Sequence, residues 1–154
     1  MRTERPCSHT SYEYPHSPYN IIPACRHKHY NTTFMALQHS FNDSFWHIVT
    51  ETVFYYNKLH LTEKIFKPII ARRPFLLLSA PGNLAYLKSY GFKTFDCWWD
   101  ESYDNYQNYD RIREIYKVIS FIDKCSDNEL QSMYNDMTDT LEYNYNRLLE
   151  LNRK

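Results

Sequence analysis

The sequence LTEKIFKPIIARRPFLLLSAPG, residues 61–82, contains a helix pattern followed directly by a strand pattern. Thr62 is a typical N-cap residue and Glu63 places an acidic side chain in the first turn, so we expect a helix over residues 61–72. The continuous apolar run FLLL at 75–78 is typical of a strand that is buried on both faces. A helix that leads into a fully buried strand favours a parallel α/β sheet.

The flanking sequence continues this alternation in both directions. Upstream, the aromatic and β-branched run FWHIVT predicts a strand at 45–50. Downstream, the patterns predict in order a helix at 83–90, a short strand at 93–95, a helix at 111–124 and a final helix from 127, capped by Ser126 or Asp127. The fold class predicted is therefore α/β, with a small parallel sheet of three or four strands flanked by helices and a C-terminal helical extension.

The domain organisation follows from length and pattern. The chain has 154 residues, enough for one ordinary domain with its own core. We expect residues 1–43 to be an irregular lead-in or the remnant of a preceding domain, 44–125 to be the α/β domain, and 126–154 to be a helix that packs on it. No apolar leader or membrane span is apparent, and the four cysteines show no close pairing, so we expect a reduced, cytoplasmic protein.

Charge and glycine content exclude several kinds of binding protein. Eighteen basic residues balance eighteen acidic ones, which argues against nucleic acid as the main partner. The only glycines are Gly82 and Gly91, so neither a dinucleotide fingerprint nor a Walker loop is present. The segments CSH at 7–9 and CRHKH at 25–29 contain zinc-ligand residue types without the usual spacing, and we predict no metal site and no cofactor.

Three segments lie where parallel sheets bind ligands, beyond the carboxyl ends of strands and beside helix N-termini: 50–52, 61–64 and 79–83. At the second of these, the N–H groups of a helix start and the Lys64 ammonium would attract a phosphate. Glu63 could accept hydrogen bonds from the vicinal hydroxyls of a ribose, and Glu51 could serve a second hydroxyl pair. The alternative is an ordinary helix start, because Thr62 and Glu63 are also what any helix N-terminus favours.

An acidic and aromatic segment, WWDESYDNYQNYD at 98–110, is the other candidate for chemistry. Its carboxylates among aromatic rings suit the binding of a sugar or acceptor, with contacts from Asp100, Glu101, Tyr103 and Asp104. The alternatives are a divalent cation site and a solvated acidic loop.

Residues 45–124 resemble the donor-binding domain of α-1,3-fucosyltransferases and related GT-B glycosyltransferases. The resemblance rests on FWHIVTET at 45–52, HLTEKIFKP at 60–68, and the strand run ending in a Pro81–Gly82 turn. It implies a Rossmann-like half of a GT-B fold that binds a nucleoside diphosphate sugar, GDP- or UDP-linked, and transfers the sugar to a hydroxyl acceptor.

The resemblance also assigns roles to residues. It implies that Glu63 and Lys64 contact the ribose and diphosphate, with Glu51, Thr62, Lys67, Pro81 and Gly82 in the same donor site. A second chain or a homo-oligomer would supply an acceptor domain. The alternative function is a non-catalytic remnant, or an interaction module without that domain, because 27 aromatic residues, 15 of them Tyr, could form an interface.

Overall fold

The computed structural model describes residues 44–153, which form two parallel strands and four α-helices. The elements in chain order are β1 (His47–Thr50), α1 (Glu63–Ile70), β2 (Phe75–Leu78), α2 (Asn83–Ser89), a 3-10 turn (Ser102–Asn105), α3 (Asn108–Asp123) and α4 (Asp127–Leu151). The predicted mixed α/β class and the parallel pairing are confirmed. The cysteine and histidine segments at 7–9 and 25–29, and the predicted lead-in over 1–43, lie outside the described residues.

The two strands form a β-α-β unit with α1 as the crossover. β1 pairs with β2 in register from His47 opposite Phe75 to Thr50 opposite Leu78. Phe75, Leu76 and Leu77 are buried, as expected for a strand covered on both faces. The core around them continues into all four helices and includes Ile65, Ile69, Leu84, Leu87, Ile115, Val118, Met137 and Leu141.

The predicted third strand at 93–95 is wrong, since the sheet of the described chain has two strands. The side-chain amide of Asn144, on α4, donates to the Lys93 carbonyl at 2.9 Å and accepts from the Lys93 N–H at 2.8 Å. The Glu101 carboxylate accepts from the Phe95 N–H at 2.8 Å and from the Thr94 hydroxyl at 2.5 Å. Side chains thus satisfy the backbone groups of Lys93 and the N–H of Phe95 without a neighbouring strand.

Of the two long helices, α3 departs from the sequence prediction and α4 begins where it was predicted to begin. α3 begins three residues before the predicted start, at Asn108, and it buries Arg111, Ile115, Val118 and Ile122. Ile112, an apolar residue within the predicted helix, is exposed. α4 begins after Ser126 with a capping box that includes Glu129, as the Ser126 prediction required.

α4 also reaches back to the end of α1. The Tyr134 hydroxyl donates to the Arg72 carbonyl at 3.0 Å, and Arg72 forms an ion pair with Glu142 at 2.5 Å.

Within residues 44–153, no helix combines the length and the hydrophobicity that crossing a membrane requires.

Candidate functional site

A buried carboxylate joins the end of β1 to the start of α1. Glu51, the residue after β1, accepts hydrogen bonds from the Thr62 N–H at 3.0 Å and from the Thr62 hydroxyl at 2.6 Å. Thr62 is the N-cap of α1, and its hydroxyl oxygen accepts from the Lys64 N–H at 3.3 Å. Both carboxylate oxygens of Glu51 are therefore used inside the protein, and they fix α1 beside β1.

Two lysines of α1 line a depression along β1. The depression has a volume of about 180 Å³ and is formed by residues 47–50, Lys64, Lys67 and Pro68. The Lys64 ammonium donates to the Thr52 hydroxyl at 3.3 Å. Neither lysine forms an ion pair with another residue of the 44–153 range, so two positive charges one helical turn apart face this surface uncompensated.

The strand next to these lysines, β1, has one edge that pairs with no other strand of residues 44–153. The N–H groups of His47 and Glu51 donate to carbonyls on the β2 side, those of Pro74 and Leu78. Alternate residues of a strand direct their N–H groups to opposite edges, so the N–H groups of Ile48 and Thr50 point to the edge that carries no strand in the described chain. Thr52 belongs to the segment 50–52 that the sequence placed at the end of a strand. The backbone donors were not identified from the sequence, although strand alternation identifies them once the register is known.

His47 adds an uncharged imidazole to the depression. Burial, together with the positive charge of Arg73, lowers the pKa of His47 to about 4. The ring and the Ser44 hydroxyl lie within hydrogen-bond distance, 3.2 Å apart. His47 is therefore neutral at pH 7 and contributes a polar group without adding to the charge of the two lysines.

Glu63 occupies the first turn of α1 and is exposed. Its carboxylate makes no ion pair within the described part of the chain. Of the residues predicted for the donor site, the structure brings Glu51, Thr62 and Lys64 together around Thr62. Glu63 follows them on the same helix turn, and Lys67 lies one turn further.

The start of α2, next to the predicted donor-site residues Pro81 and Gly82, is already capped by an acidic side chain. The Asp104 carboxylate accepts from the N–H groups of Leu84 and Ala85 at 3.1 and 3.3 Å. The N–H of Gly82, whose φ is 82°, donates to the Asp104 carbonyl at 2.9 Å. Pro81 and Gly82 therefore form a turn whose helix start holds an internal anion.

The acidic segment at 98–110 is divided among separate structural contacts. Asp104 faces Arg111, which is fully buried, at 3.4 Å. Glu101 contacts the 93–95 backbone, and burial raises its pKa. Tyr103 is buried, which raises its pKa, whereas Asp100 is exposed and accepts from the Ser102 N–H at 2.8 Å. Among the residues that the structure describes, no three carboxylate, thiol or imidazole groups are placed to hold a metal ion.

A cationic depression thus lies between α1 and β1, where the Lys64 and Lys67 ammonium groups line the same surface as Ile48 and Thr50, whose N–H groups point away from β2. Such a set of donors suits the oxygens of a phosphate or diphosphate. Comparison of the chain with protein-family models, with curated proteins and with solved structures found no match.

Proposed function

We propose that this chain binds a nucleoside diphosphate sugar in the depression between α1 and β1, as a Rossmann-like donor domain of the GT-B kind. The sugar would be transferred to a hydroxyl acceptor. The observation that carries the proposal is the pair of lysines, Lys64 and Lys67, which line one depression without ion pairs to other described residues.

The size of the depression supports a role for the diphosphate rather than for the whole donor. Its 180 Å³ is below the roughly 300–1,000 Å³ of pockets that enclose a drug-sized molecule. Two ammonium groups and the N–H groups of Ile48 and Thr50 would hold the phosphate oxygens, and the base and sugar would extend beyond the depression. Because charge accumulates on the departing diphosphate during transfer, fixed positive groups there would also stabilise the transition state.

The two glutamates of the region would have different roles. Glu63 has an exposed carboxylate, and it could accept hydrogen bonds from the ribose hydroxyls. Glu51 is buried and uses both oxygens on Thr62, so we assign it the positioning of α1 rather than contact with the donor.

The proposal is tested by calorimetric titration of the purified chain with GDP and with UDP. Lys64→Ala removes a charge-assisted hydrogen bond of roughly 1.5–3 kcal/mol, so nucleotide affinity should fall by about 10- to 150-fold. Lys64→Ala/Lys67→Ala should abolish measurable binding. The matched control is Lys58→Ala/Lys124→Ala, which makes the same change in net charge at two exposed positions outside the depression.

Three results test whether nucleotide binds, whether it binds at this site and whether the sugar is transferred. Absence of binding to either nucleotide overturns the proposal. Equal loss in the two double variants, with a steep salt dependence, indicates diffuse electrostatics rather than a site. If nucleotide binds, release of free nucleotide from GDP- and UDP-sugars distinguishes an enzyme from a protein that only binds the donor.

A second candidate function, a non-catalytic interaction module, is favoured by one exposed apolar segment. Tyr55, Tyr56 and Leu59 lie between β1 and α1 and are 61%, 76% and 54% exposed. Tyrosine is enriched at protein interfaces, and clustered exposed rings are typical of them. A dimer in solution that Tyr55→Ser/Tyr56→Ser dissociates, together with no nucleotide binding, would favour this function.

A further inference from the structure

A recess separate from the cationic depression lies between the loop after residue 97 and α3. Its volume is about 350 Å³, within the range of pockets that hold small ligands. Trp99 is buried in its wall. Beside it, Trp98 is partly exposed and Phe121 is exposed. Three aromatic side chains, two of them accessible, thus form an apolar surface.

Polar groups surround these rings. Asp100, Glu114 and Lys117 line the same recess. One oxygen of the exposed Asp100 carboxylate accepts from the Ser102 N–H, which leaves the other oxygen without this bond. The Glu114 carboxylate accepts from the Lys117 ammonium at 2.8 and 2.7 Å, and that contact lowers the pKa of Glu114, so the carboxylate is ionised and acts only as an acceptor.

We propose that this recess binds a neutral saccharide, one pyranose ring seated on the aromatic surface with its hydroxyls bonded to Asp100, Glu114 and Lys117. A pyranose has an apolar face of C–H groups, which matches accessible rings, and a circumference of hydroxyls, which matches polar groups that surround those rings. A ligand that fills the recess must therefore have both an apolar face and hydroxyl groups around its edge.

The charge of the recess separates a saccharide from other ligands. Two carboxylates and one ammonium give these three side chains a net charge of −1, and the Arg113 guanidinium, 3.5 Å from the Glu114 carboxylate, brings the local charge to zero. The recess therefore has no net positive charge to attract a phosphate or carboxylate ligand. A cation over the rings is the nearest competitor, since indoles attract ammonium groups. The ion pair between Glu114 and Lys117 argues against it, because this pair places an ammonium at the recess. Of the two carboxylates that line the recess, only Asp100 then has no ion pair with a described residue.

The saccharide site would add a second ligand to the nucleoside diphosphate sugar proposed above, and the argument for it does not depend on that donor site. Trp99 contacts the ring of Trp46, the residue before β1, with 5.7 Å between ring centroids. The Glu51–Thr62 contact lies after the other end of β1. The two sites therefore use different residues, and each can be removed while the other stays intact.

The experiment is a titration of the full chain, without nucleotide, followed through indole and backbone N–H resonances. The probes are the methyl glycosides of glucose, galactose, mannose, N-acetylglucosamine and fucose. At least one glycoside should shift the Trp98 and Trp99 indole resonances in a saturable manner. Glu114→Ala should weaken that binding by about 10- to 150-fold, because it removes a charged hydrogen-bond acceptor.

Matched controls and a second variant keep the result interpretable. Asp139→Ala removes an exposed carboxylate of α4, and Tyr116→Ala removes an exposed ring of α3 outside the recess; both should bind as the wild type does. Trp98→Ala should abolish binding, with circular dichroism to check folding, since Trp98 packs near Phe95. Lys64→Ala/Lys67→Ala should bind glycosides normally, which separates this site from the nucleotide site.

The proposal is overturned if no glycoside shifts these resonances, or if Glu114→Ala and Asp139→Ala have equal effects. It is also overturned if tetramethylammonium shifts the two indoles while the glycosides do not, since the recess would then be a cation site.

Discussion

At the scale of single residues, His47 shows how the fold changes an ordinary side chain. An imidazole in water titrates near pH 6.5, but burial and the charge of Arg73 lower the pKa of His47 to about 4. The ring lines the depression beside Lys64 and Lys67, so its neutrality limits the positive charge of that surface. The same shift makes the stability of the protein depend on pH.

We expect the free energy of unfolding to fall as the pH is lowered from about 6.5 to about 4. In that window the unfolded state binds a proton at residue 47 that the folded state does not, so acid favours unfolding. Because the ring is partly exposed, solvent screening reduces the effect, and we expect a loss on the order of 1 kcal/mol. Urea denaturation at a series of pH values measures it.

His47→Gln should remove this part of the pH dependence, whereas His60→Gln, at an exposed histidine, should leave it in place. A wild-type curve and a His47→Gln curve that fall in parallel between pH 6.5 and 4 would assign the effect to other groups.

At the scale of elements, the start of α1 separates two glutamates that the sequence analysis placed in one site. Glu51 is 7% exposed and binds Thr62 through both oxygens, so it connects β1 to the helix that carries the lysines. Glu63 is exposed and interacts with the helix mainly through its charge near the N-terminus.

Substitution of these two glutamates should therefore affect stability to different extents. Glu51→Ala removes two hydrogen bonds to a charged acceptor and should lower the free energy of unfolding by roughly 2–4 kcal/mol, measured by urea denaturation. Glu63→Ala should change it by less than about 1 kcal/mol. If Glu63 contacts the ribose, Glu63→Ala should instead weaken nucleotide binding; equal stability losses would contradict the division of roles.

The elements that were predictable from sequence are those specified by their own residues. Thr62 caps α1, the apolar run at 75–78 forms β2 with its first three residues buried, and Ser126 with Glu129 forms the capping box of α4. The segment at 93–95 has local strand character, yet a side chain 51 positions away, Asn144, bonds both backbone groups of Lys93. Pattern within a short window contains no information about such a partner.

The same limit applies to the candidate site. The start of α1 at Thr62, and with it the positions of Glu63, Lys64 and Lys67 on the helix, could be predicted because helix caps are local signals. It could not show that Asp104 caps α2 from 20 positions away, nor that Glu114 and Lys117 of α3 meet Asp100 at a recess. Those arrangements depend on how the helices pack after the chain has folded.

At the scale of the whole molecule, one buried ion pair connects three elements around the sheet. Asp104, in the 3-10 turn, caps α2 through Leu84 and Ala85 and faces the guanidinium of Arg111, at the start of α3. Arg111 also donates to the Tyr103 carbonyl at 2.9 Å. Burial lowers the pKa of Arg111 while the Asp104 charge raises it, so the charged form of the guanidinium depends on this carboxylate.

This arrangement predicts strong coupling between the two residues in a double-mutant cycle. Asp104→Asn keeps an acceptor for the α2 N–H groups but leaves a buried guanidinium unpaired, which should cost about 3–5 kcal/mol. Arg111→Met replaces the buried charge with an apolar side chain of similar length and should cost less, because the Asp104 carboxylate keeps its two N–H partners. The double variant then has neither charge, so its loss of stability should be smaller than the sum of the single losses by roughly 1–3 kcal/mol. Urea denaturation of the four proteins measures the coupling. Additive losses would show that the guanidinium is stabilised by its other contacts, and that the connection between α2 and α3 is made by packing rather than by this pair.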